Sequence, residues 1–567
     1  MGQGQRRSHA SRYWWVILGA LAIAAGTTAA YTPALRAGWV WDDDFYVTKN
    51  TLLTAPDGLR RIWFSLESPS QYFPLVYTTF RLERAVWGLD PTGYHAANIL
   101  LHAANALLVW LVLSRLRVPG AWLAAAIFAV HPVHVESVAW VTERKNVLSL
   151  FFSLLTMLAW LKYADGGHSR ARLWWAAAFA LYALALFSKT TAVTLPAAML
   201  LADWIQGRSI DRRRAAAVAP FVVWGVVMGL VTVLWERHHQ GTMGPEFAMS
   251  PLERVLVAGR ALWFYAGKLV WPSKLTFSYP KWDVSETDPV QYVWLAGIVA
   301  VAAVLYMWRR KIGRLPIAAV LFFAVTPIPL LGFFSLYTFR YSYVADHYQY
   351  VASIGLIALA AALISAAVRR FGRAAVAVPA AILVVLGSLT WRQCLAYKDA
   401  ETLWRDTLAK NPTSAIAHTN LGRILLDRGE SEAAFRHFRK AAEIAPHMAE
   451  VQNNLGVALL RQGDLSAAER SFRRAIRSDP RYAGPRVNLS AIYLQKENFE
   501  KAERAARDAL RINPYLTEAY SHLGIALAEQ GRLDEAIEQF RQALRLDPED
   551  AQCRKNLEHA LSLRRSR

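Results

Sequence analysis

The sequence predicts an all-α protein in two parts: a polytopic helical domain that crosses a membrane many times, then a solenoid of short helix pairs. Three observations carry this. Charged residues make up 19% of the 567-residue chain, but they are sparse up to about Trp391 and dense after it. Apolar stretches of roughly 20 residues, the length needed to cross a hydrocarbon core, recur through the first part. In the second part, prolines recur at a 34-residue step, at Pro412, Pro446, Pro480, Pro514 and Pro548.

The membrane part follows from the apolar stretches. They lie at 14–33, 95–114, 119–138, 147–164, 172–187, 190–206, 215–235, 290–308, 315–334, 348–367 and 374–391, about eleven spans in all. A further stretch, 252–271, is interrupted by Arg254, Arg260 and Lys268 and is expected to lie re-entrant or flat at the outer surface. The basic clusters at 115–117, 162–172, 208–214, 309–314 and 369–373 then all fall on the cytoplasmic side, as the positive-inside rule requires. This places the N-terminus in the cytoplasm and, after an odd number of spans, the residues beyond Trp391 outside it. The first stretch is long for the apolar core of a cleaved signal and reads as an uncleaved anchor.

The net charge of +21 does not point to nucleic acid. The basic residues are spent on span orientation and on helices that also carry Glu and Asp, and no nucleic-acid-binding signature is present. Two cysteines, Cys394 and Cys553, make neither a disulfide framework nor a zinc cluster.

The second part repeats in more than proline. Leu421, Leu455, Leu489 and Leu523 share the 34-residue step, as do Ala434, Ala468, Ala502 and Ala536. Gly422, Gly456 and Gly524 follow the leucines, and Phe438, Phe472 and Phe540 recur in the second helix. This is the tetratricopeptide (TPR) pattern. Residues 1–396 are read as the membrane domain, 397–412 as a connecting helix, 413–548 as four repeats, and 549–567 as a capping helix and tail. Asn420, Asn454 and Asn488 form a ladder at the same step, with His522 in register. Amides in a concave groove suit an extended peptide backbone, although Asn is also common at this position of repeats that bind nothing.

The candidate chemistry lies in the loops assigned to the outer face. Asp42, Asp43 and Asp44 follow the first span. Carboxylates so close together repel, which raises the pKa of at least one and suits a general base. A divalent metal is also compatible with them, and no cofactor follows from the residues. His131, His134 and Glu136 form a second polar run, continued by Glu143, Arg144, Lys145 and Asn146. Lys189, then Arg260 and Lys268, then Asp346, His347 and Tyr350 complete a set that converges on one face. Ionisable groups at membrane depth are costly and mark function. Outside the cytoplasm a sugar donor has to be carried by a lipid. Its phosphate calls for basic donors, and the acceptor hydroxyl calls for a carboxylate base. One base with in-line displacement implies inversion at the sugar carbon, by analogy with inverting glycosidases.

These motifs occur in a definite order: the acidic pair, HPVHVESVAW, FSKTTAVTLPAAMLLADW, LWFYAGKLVWP, VADHYQYVASIG, and then the repeats. In that order, from about Trp39 to Pro548, the chain resembles the transmembrane and tetratricopeptide-repeat O-mannosyltransferases and their bacterial relatives. The resemblance implies a GT-C glycosyltransferase that uses a polyprenyl-phosphate mannose donor and a Ser/Thr acceptor on protein. It also implies a bacterial inner membrane with the repeats periplasmic, and Asp42 and Asp43 as the acidic pair, Asp43 slightly preferred as base. Glu143-Arg144-Lys145-Asn146 stands where animal members have Gly-Arg-Ala-Asp, and His347 stands where Arg is expected. Two other readings start from the same residues: a membrane-anchored TPR scaffold without catalysis, and a transferase acting on an envelope glycan or lipid.

Overall fold

The computed structural model describes residues 3–66, 71–166, 170–239 and 247–566. Among these residues it contains helices and turns but no β-strand. It divides into two compact units, one ending at Asn411 and the other beginning at Pro412.

The first unit comprises α1 (Gln3–Tyr31), α2 (Gly58–Phe64), α3 (Pro74–Trp87), α4 (Pro91–Arg115), α5 (Ala121–Val130), α6 (Val135–Ala139), α7 (Arg144–Ala164) and α8 (Ala171–Ser188). It continues with α9 (Leu195–Ile205), α10 (Arg212–His239), α11 (Pro251–Val270), α12 (Val293–Ile312), α13 (Arg314–Val325), α14 (Ser353–Phe371), α15 (Ala377–Cys394) and α16 (Ala400–Lys410). Among the described residues, eight segments are long and apolar enough to cross a membrane, and the bent pair α5–α6 makes a ninth if counted as one broken span. Thr190–Ile205 and Arg314–Leu330 are shorter apolar helices. These segments overlap the sequence's apolar stretches one for one, but length and composition qualify eight or nine of them as spans rather than eleven. The interrupted stretch forms α11, which opens on a capping box between Ser250 and Glu253. Its apolar side packs into a core with Phe323, Leu331, Phe339 and Tyr343.

The break between α5 and α6 positions the site. Pro132 cannot donate to the helix ladder, and the two segments bend by 55° there. Carbonyls freed at such a break must find partners inside the protein. They do: Phe128 O faces His134 Nδ1 at 2.8 Å, Ala129 O faces His102 Nε2 at 3.1 Å, and Val130 O accepts from Thr390 Oγ1 at 2.7 Å. Asn98 Nδ2 donates to Trp140 O at 3.3 Å where α6 ends. Asn98 and His102, four residues apart on one face of α4, thus stabilise the broken backbone, and Asn105 on the same helix donates instead to Val147 O in α7 at 2.8 Å. Nearby, α13 and α14 approach so closely that a Cβ on Gly355 would lie 2.4 Å from Ala319 O.

The second unit stacks four antiparallel pairs: α17 (Ala415–Asp427) with α18 (Ser431–Ile444), α19 (Ala449–Arg461) with α20 (Leu465–Ser478), α21 (Gly484–Gln495) with α22 (Phe499–Ile512), and α23 (Thr517–Glu529) with α24 (Leu533–Leu546). A last helix, α25 (Ala551–Arg565), packs on α24. The repeating glycines have a steric cause. A Cβ on Gly456 would meet Phe472 Cε1 at 2.6 Å, and Gly422 and Gly524 face Phe438 and Phe540 in the same way.

Candidate functional site

The three aspartates do three different things. Asp43 is fully buried and its carboxylate is saturated. Oδ2 accepts from Val40 N at 2.9 Å, and Oδ1 accepts from Thr142 N at 2.9 Å and Thr142 Oγ1 at 2.6 Å. It therefore pins the loop after α1 to the turn before α7. Asp42 keeps one buried oxygen, Oδ1, without a hydrogen-bond partner. Burial pushes the Asp42 carboxyl up to about 8; Lys145 pulls it back, while Asp43 and Glu143 push it further. Burial also raises Asp43, to about 7, against its own hydrogen bonds. Asp44 points outward and pairs with Lys49 Nζ at 3.0 Å, both largely exposed.

Next to Asp42 lies a buried ionic knot centred on Glu143, which is 1% exposed. Lys145 Nζ sits 2.8 Å from its Oε1, and Lys189 Nζ sits 3.5 Å from its Oε2. Lys189 also donates to Asn146 Oδ1 at 2.6 Å. His347 completes the knot. Its backbone N–H donates to Glu136 Oε2 at 2.9 Å, its Nδ1 lies 3.2 Å from the same oxygen, and its Nε2 lies 3.9 Å from Glu143 Oε1. Ions this deep persist only with close counter-charges, and here two carboxylates, two ammonium groups and an imidazole supply them to one another.

The knot opens on an apolar slot of about 360 Å³. Asn146, Thr191 and His347 form one end of its lining, and Arg369 and Ile312 form the other. Between them the walls are mostly apolar side chains from α4, α7, α9, α13 and α14, with Ser149 and Ser153 of α7 among them. The slot-lining run of α14 from Ile354 to Arg369 corresponds to about 22 Å of helix. An elongated apolar molecule with one charged end matches this shape.

The other sequence-predicted residues fall into two groups. Arg144, His134 and Tyr350 are bound into the frame. Arg144 donates to Glu83 Oε1 at 2.5 Å, to Tyr94 O at 3.0 Å and to Asn98 Oδ1. Tyr350 OH faces His102 Nδ1 at 2.8 Å, and His134 Nε2 faces Ser353 Oγ at 3.0 Å. His131 Nε2 lies 3.0 Å from Leu269 O, so the two histidines do not converge on a common point. A second group sits around the loop after α11. Both oxygens of Asp346 accept from Tyr279 OH, at 2.9 and 3.1 Å. Burial, with Glu136 nearby, holds the Asp346 carboxyl well above the usual carboxylate range. Lys268 Nζ donates to Ser273 O at 2.6 Å and lies over Tyr279, and Arg260 stacks on Trp282 with 4.3 Å to the ring centre. Among the described residues, no group of three or more His, Cys, Asp or Glu side chains is placed to hold a metal ion.

Of the adjacent Arg144 and Lys145, both named by the sequence, Lys145 is the one that reaches the knot and Arg144 the one that pairs with Glu83. Adjacent residues at the start of a helix point about 100° apart, so one had to face the knot and the other Glu83. The residue types do not say which. In the repeats, Asn420 Nδ2 donates to Ile416 O within its own helix, and Asn488 Nδ2 donates to Asn453 Oδ1 at 2.9 Å. Asn453, one position off the ladder, is thus the partner of Asn488, and Asn454 is half-buried.

The fold and this site define an all-α membrane protein with a TPR solenoid and a buried ionic site facing an apolar slot. Proteins of related sequence give this class a context. A protein O-mannosyl-transferase of Caenorhabditis elegans is 25% identical, covering 73% of this chain and 61% of its own. Human protein O-mannosyl-transferase TMTC1 is 26% identical, covering 76% of this chain and 56% of its own. Human protein O-mannosyl-transferase TMTC4 is 25% identical over 74% and 65%. The chain therefore spans about three-fifths of the length of these three relatives. A family model described as the cilia and flagella-associated protein 70 C-terminal domain matches residues 351–567. Among solved structures, a crystal structure of MamA is 26% identical over 27% of this chain and 89% of that one, with a TM-score of 0.24.

Proposed function

We propose that this protein is an inverting GT-C glycosyltransferase that moves a sugar, mannose on the resemblance, from a polyprenyl-phosphate donor to Ser or Thr of extracytoplasmic proteins. The observation that carries the reading is the apolar slot ending at the Glu143 knot, with Asp42 alongside. The slot takes the first isoprene units of the donor, and its polar end takes the phosphate. Lys189 and Lys145 offer ammonium donors to the phosphate oxygens, and His347 adds a third donor when protonated. Asp42, through Oδ1, is the base: it accepts the proton of the acceptor hydroxyl as that oxygen bonds to the sugar carbon. The bond from that carbon to the phosphate oxygen breaks, and polyprenyl phosphate leaves with the electron pair. The leaving group is already ionised, so no general acid is needed. Asp43 holds the loop, which supports assigning the base to Asp42 instead. Residues 1–396 are the catalytic domain, 397–412 connect, and the repeats at 413–548 with the cap at 549–567 lie outside the cytoplasm and present the protein acceptor. The protein sits in the inner membrane of a bacterium with a cytoplasmic N-terminus.

Glycoproteomics of extracytoplasmic proteins tests this. Cells with the wild-type protein, cells lacking it, and cells carrying Asp42→Asn at matched levels are compared. Loss of O-linked hexose in the last two alike is the expected result. An unchanged glycan pattern in cells lacking an otherwise expressed protein rules out the protein acceptor and leaves an envelope glycan or lipid to be tested.

A further inference from the structure

Asp42 sits in a turn that has an unusual occupant. Residues 40–43 close a turn in which Asp43 N donates to Val40 O at 3.1 Å. The second residue of that turn, Trp41, has φ +45°. Turns that need positive φ there are dominated by Gly, Asn and Asp, because a Cβ is crowded in the left-handed region. Among the described residues, the other non-glycine positive-φ positions are Arg117, Lys274 and Glu497. Arg117 and Glu497 terminate helices, where a left-handed residue is common. A bulky aromatic at such a position persists only when its surroundings over-determine it.

The surroundings are rings. The Trp41 indole packs against Trp140 at 5.3 Å, Phe277 at 5.2 Å and Trp404 at 6.5 Å between ring centres. Phe277 also meets Trp404 at 5.3 Å, and Trp140 lies 5.9 Å from the His347 ring. The cluster draws on the loop after α11, the turn before α7, and α16. It therefore ties the backbone at 41 to both halves of the site.

We propose that Trp41 is a positioning residue: its indole, clamped by Trp140, Phe277 and Trp404, holds the left-handed turn that leaves Asp42 Oδ1 free of the chain's own hydrogen bonds and able to take a substrate proton. This rests on the transferase reading of Asp42. The groups facing Asp42 are Asp43 on its own turn, Tyr77 on α3, Thr142 and Glu143 before α7, and Lys145 on α7. The ring removes water from this set, and the turn aims the carboxylate.

Trp41→Gly separates ring from backbone, because glycine adopts the turn freely but offers no ring. Trp41→Phe keeps a ring. Transfer by the full-length protein in lipid nanodiscs is measured with a polyprenyl-phosphate sugar and a Ser/Thr peptide. Labelling of Asp42 by a hydrophobic carbodiimide, which takes the protonated acid, is followed against pH by peptide mass spectrometry and needs no donor. Trp41→Gly is expected to lose about 10²-fold in kcat, the cost of a small misplacement, with KM for the donor little changed. Its labelling midpoint should fall toward that of an ordinary carboxylate. Trp41→Phe should retain most of both properties, which also shows that the position tolerates change without unfolding. A Trp41→Gly protein with wild-type kcat and an unmoved labelling midpoint overturns the proposal. A wild-type protein that transfers no sugar removes the transferase reading instead, and the labelling profile still decides whether Trp41 sets the state of Asp42.

Discussion

The two units treat charge in opposite ways. In the repeats, ion pairs lie on helix surfaces at one-turn spacing, such as Arg507–Glu503 at 2.8 Å and Arg473–Glu469 at 2.7 Å, with the arginines about half exposed. Such pairs contribute little, because the arginine of each remains in water and the glutamate is only partly withdrawn from it. In the membrane unit, Glu143, Lys145 and Lys189 are all at least nine-tenths buried, and Lys189 reaches Glu143 from 46 residues further along the chain. Burying them costs energy that close pairing only offsets. Surface charge here keeps a solenoid soluble, whereas buried charge is retained where it does something.

Changes at the two units should therefore differ in size. The largest effect is expected at Asp42. Asp42→Asn should cut transfer by about 10²–10⁴-fold, the usual contribution of a general base, with little change in thermal unfolding. Asp43→Ala should act mainly on stability, by about 3 kcal/mol, since it strands donors that now bond a carboxylate. The reverse pattern would exchange their roles. Next, Glu143→Gln leaves two buried ammonium groups without their shared counter-charge. A loss of roughly 3–5 kcal/mol is expected, read as a lowered unfolding temperature in detergent, and an unshifted temperature would mean that the knot is not ionised.

The pH dependence is smaller but more specific. Asp42 acts as a base only when ionised, and its carboxyl lies near 8. Transfer should rise about tenfold per pH unit below that value and level off above it. Lys145 lowers the Asp42 value, so Lys145→Met should move the rise to higher pH. A profile that is flat between about pH 6 and 8 would remove Asp42 as the titrating base. In the solenoid, Gly456→Ala drives a Cβ into Phe472 and should cost about 1–3 kcal/mol. Arg507→Ala should cost under about 1 kcal/mol. A larger loss at Arg507 than at Gly456, in chemical unfolding, would break the contrast between the units.

Much of the architecture can be read from the chain because it rests on local rules. A 34-residue period in Pro, Leu, Gly and Ala is enough for stacked helix pairs, each contacting only its neighbours. Apolar runs of span length are enough for helices in lipid, which must satisfy their backbone internally. The broken helix at Pro132 is equally local in origin. The polar residues of the site were also visible as a set, because ionisable side chains are rare among apolar spans.

Their roles were not visible, and the reason is physical. Asp42 and Asp43 are neighbours of the same type, and only the position of Thr142, 99 residues away, makes one a structural acceptor and leaves the other an unpartnered oxygen. Arg144 and Lys145 are separated by a helical rotation whose phase is set by packing against α4. His134 belongs to the polar run by sequence, but the bend at Pro132 hands it a backbone carbonyl. Local sequence specifies which segments become helices and where they must break; which oxygen is left unpaired depends on distances between segments far apart in the chain, and those come only with the packed fold.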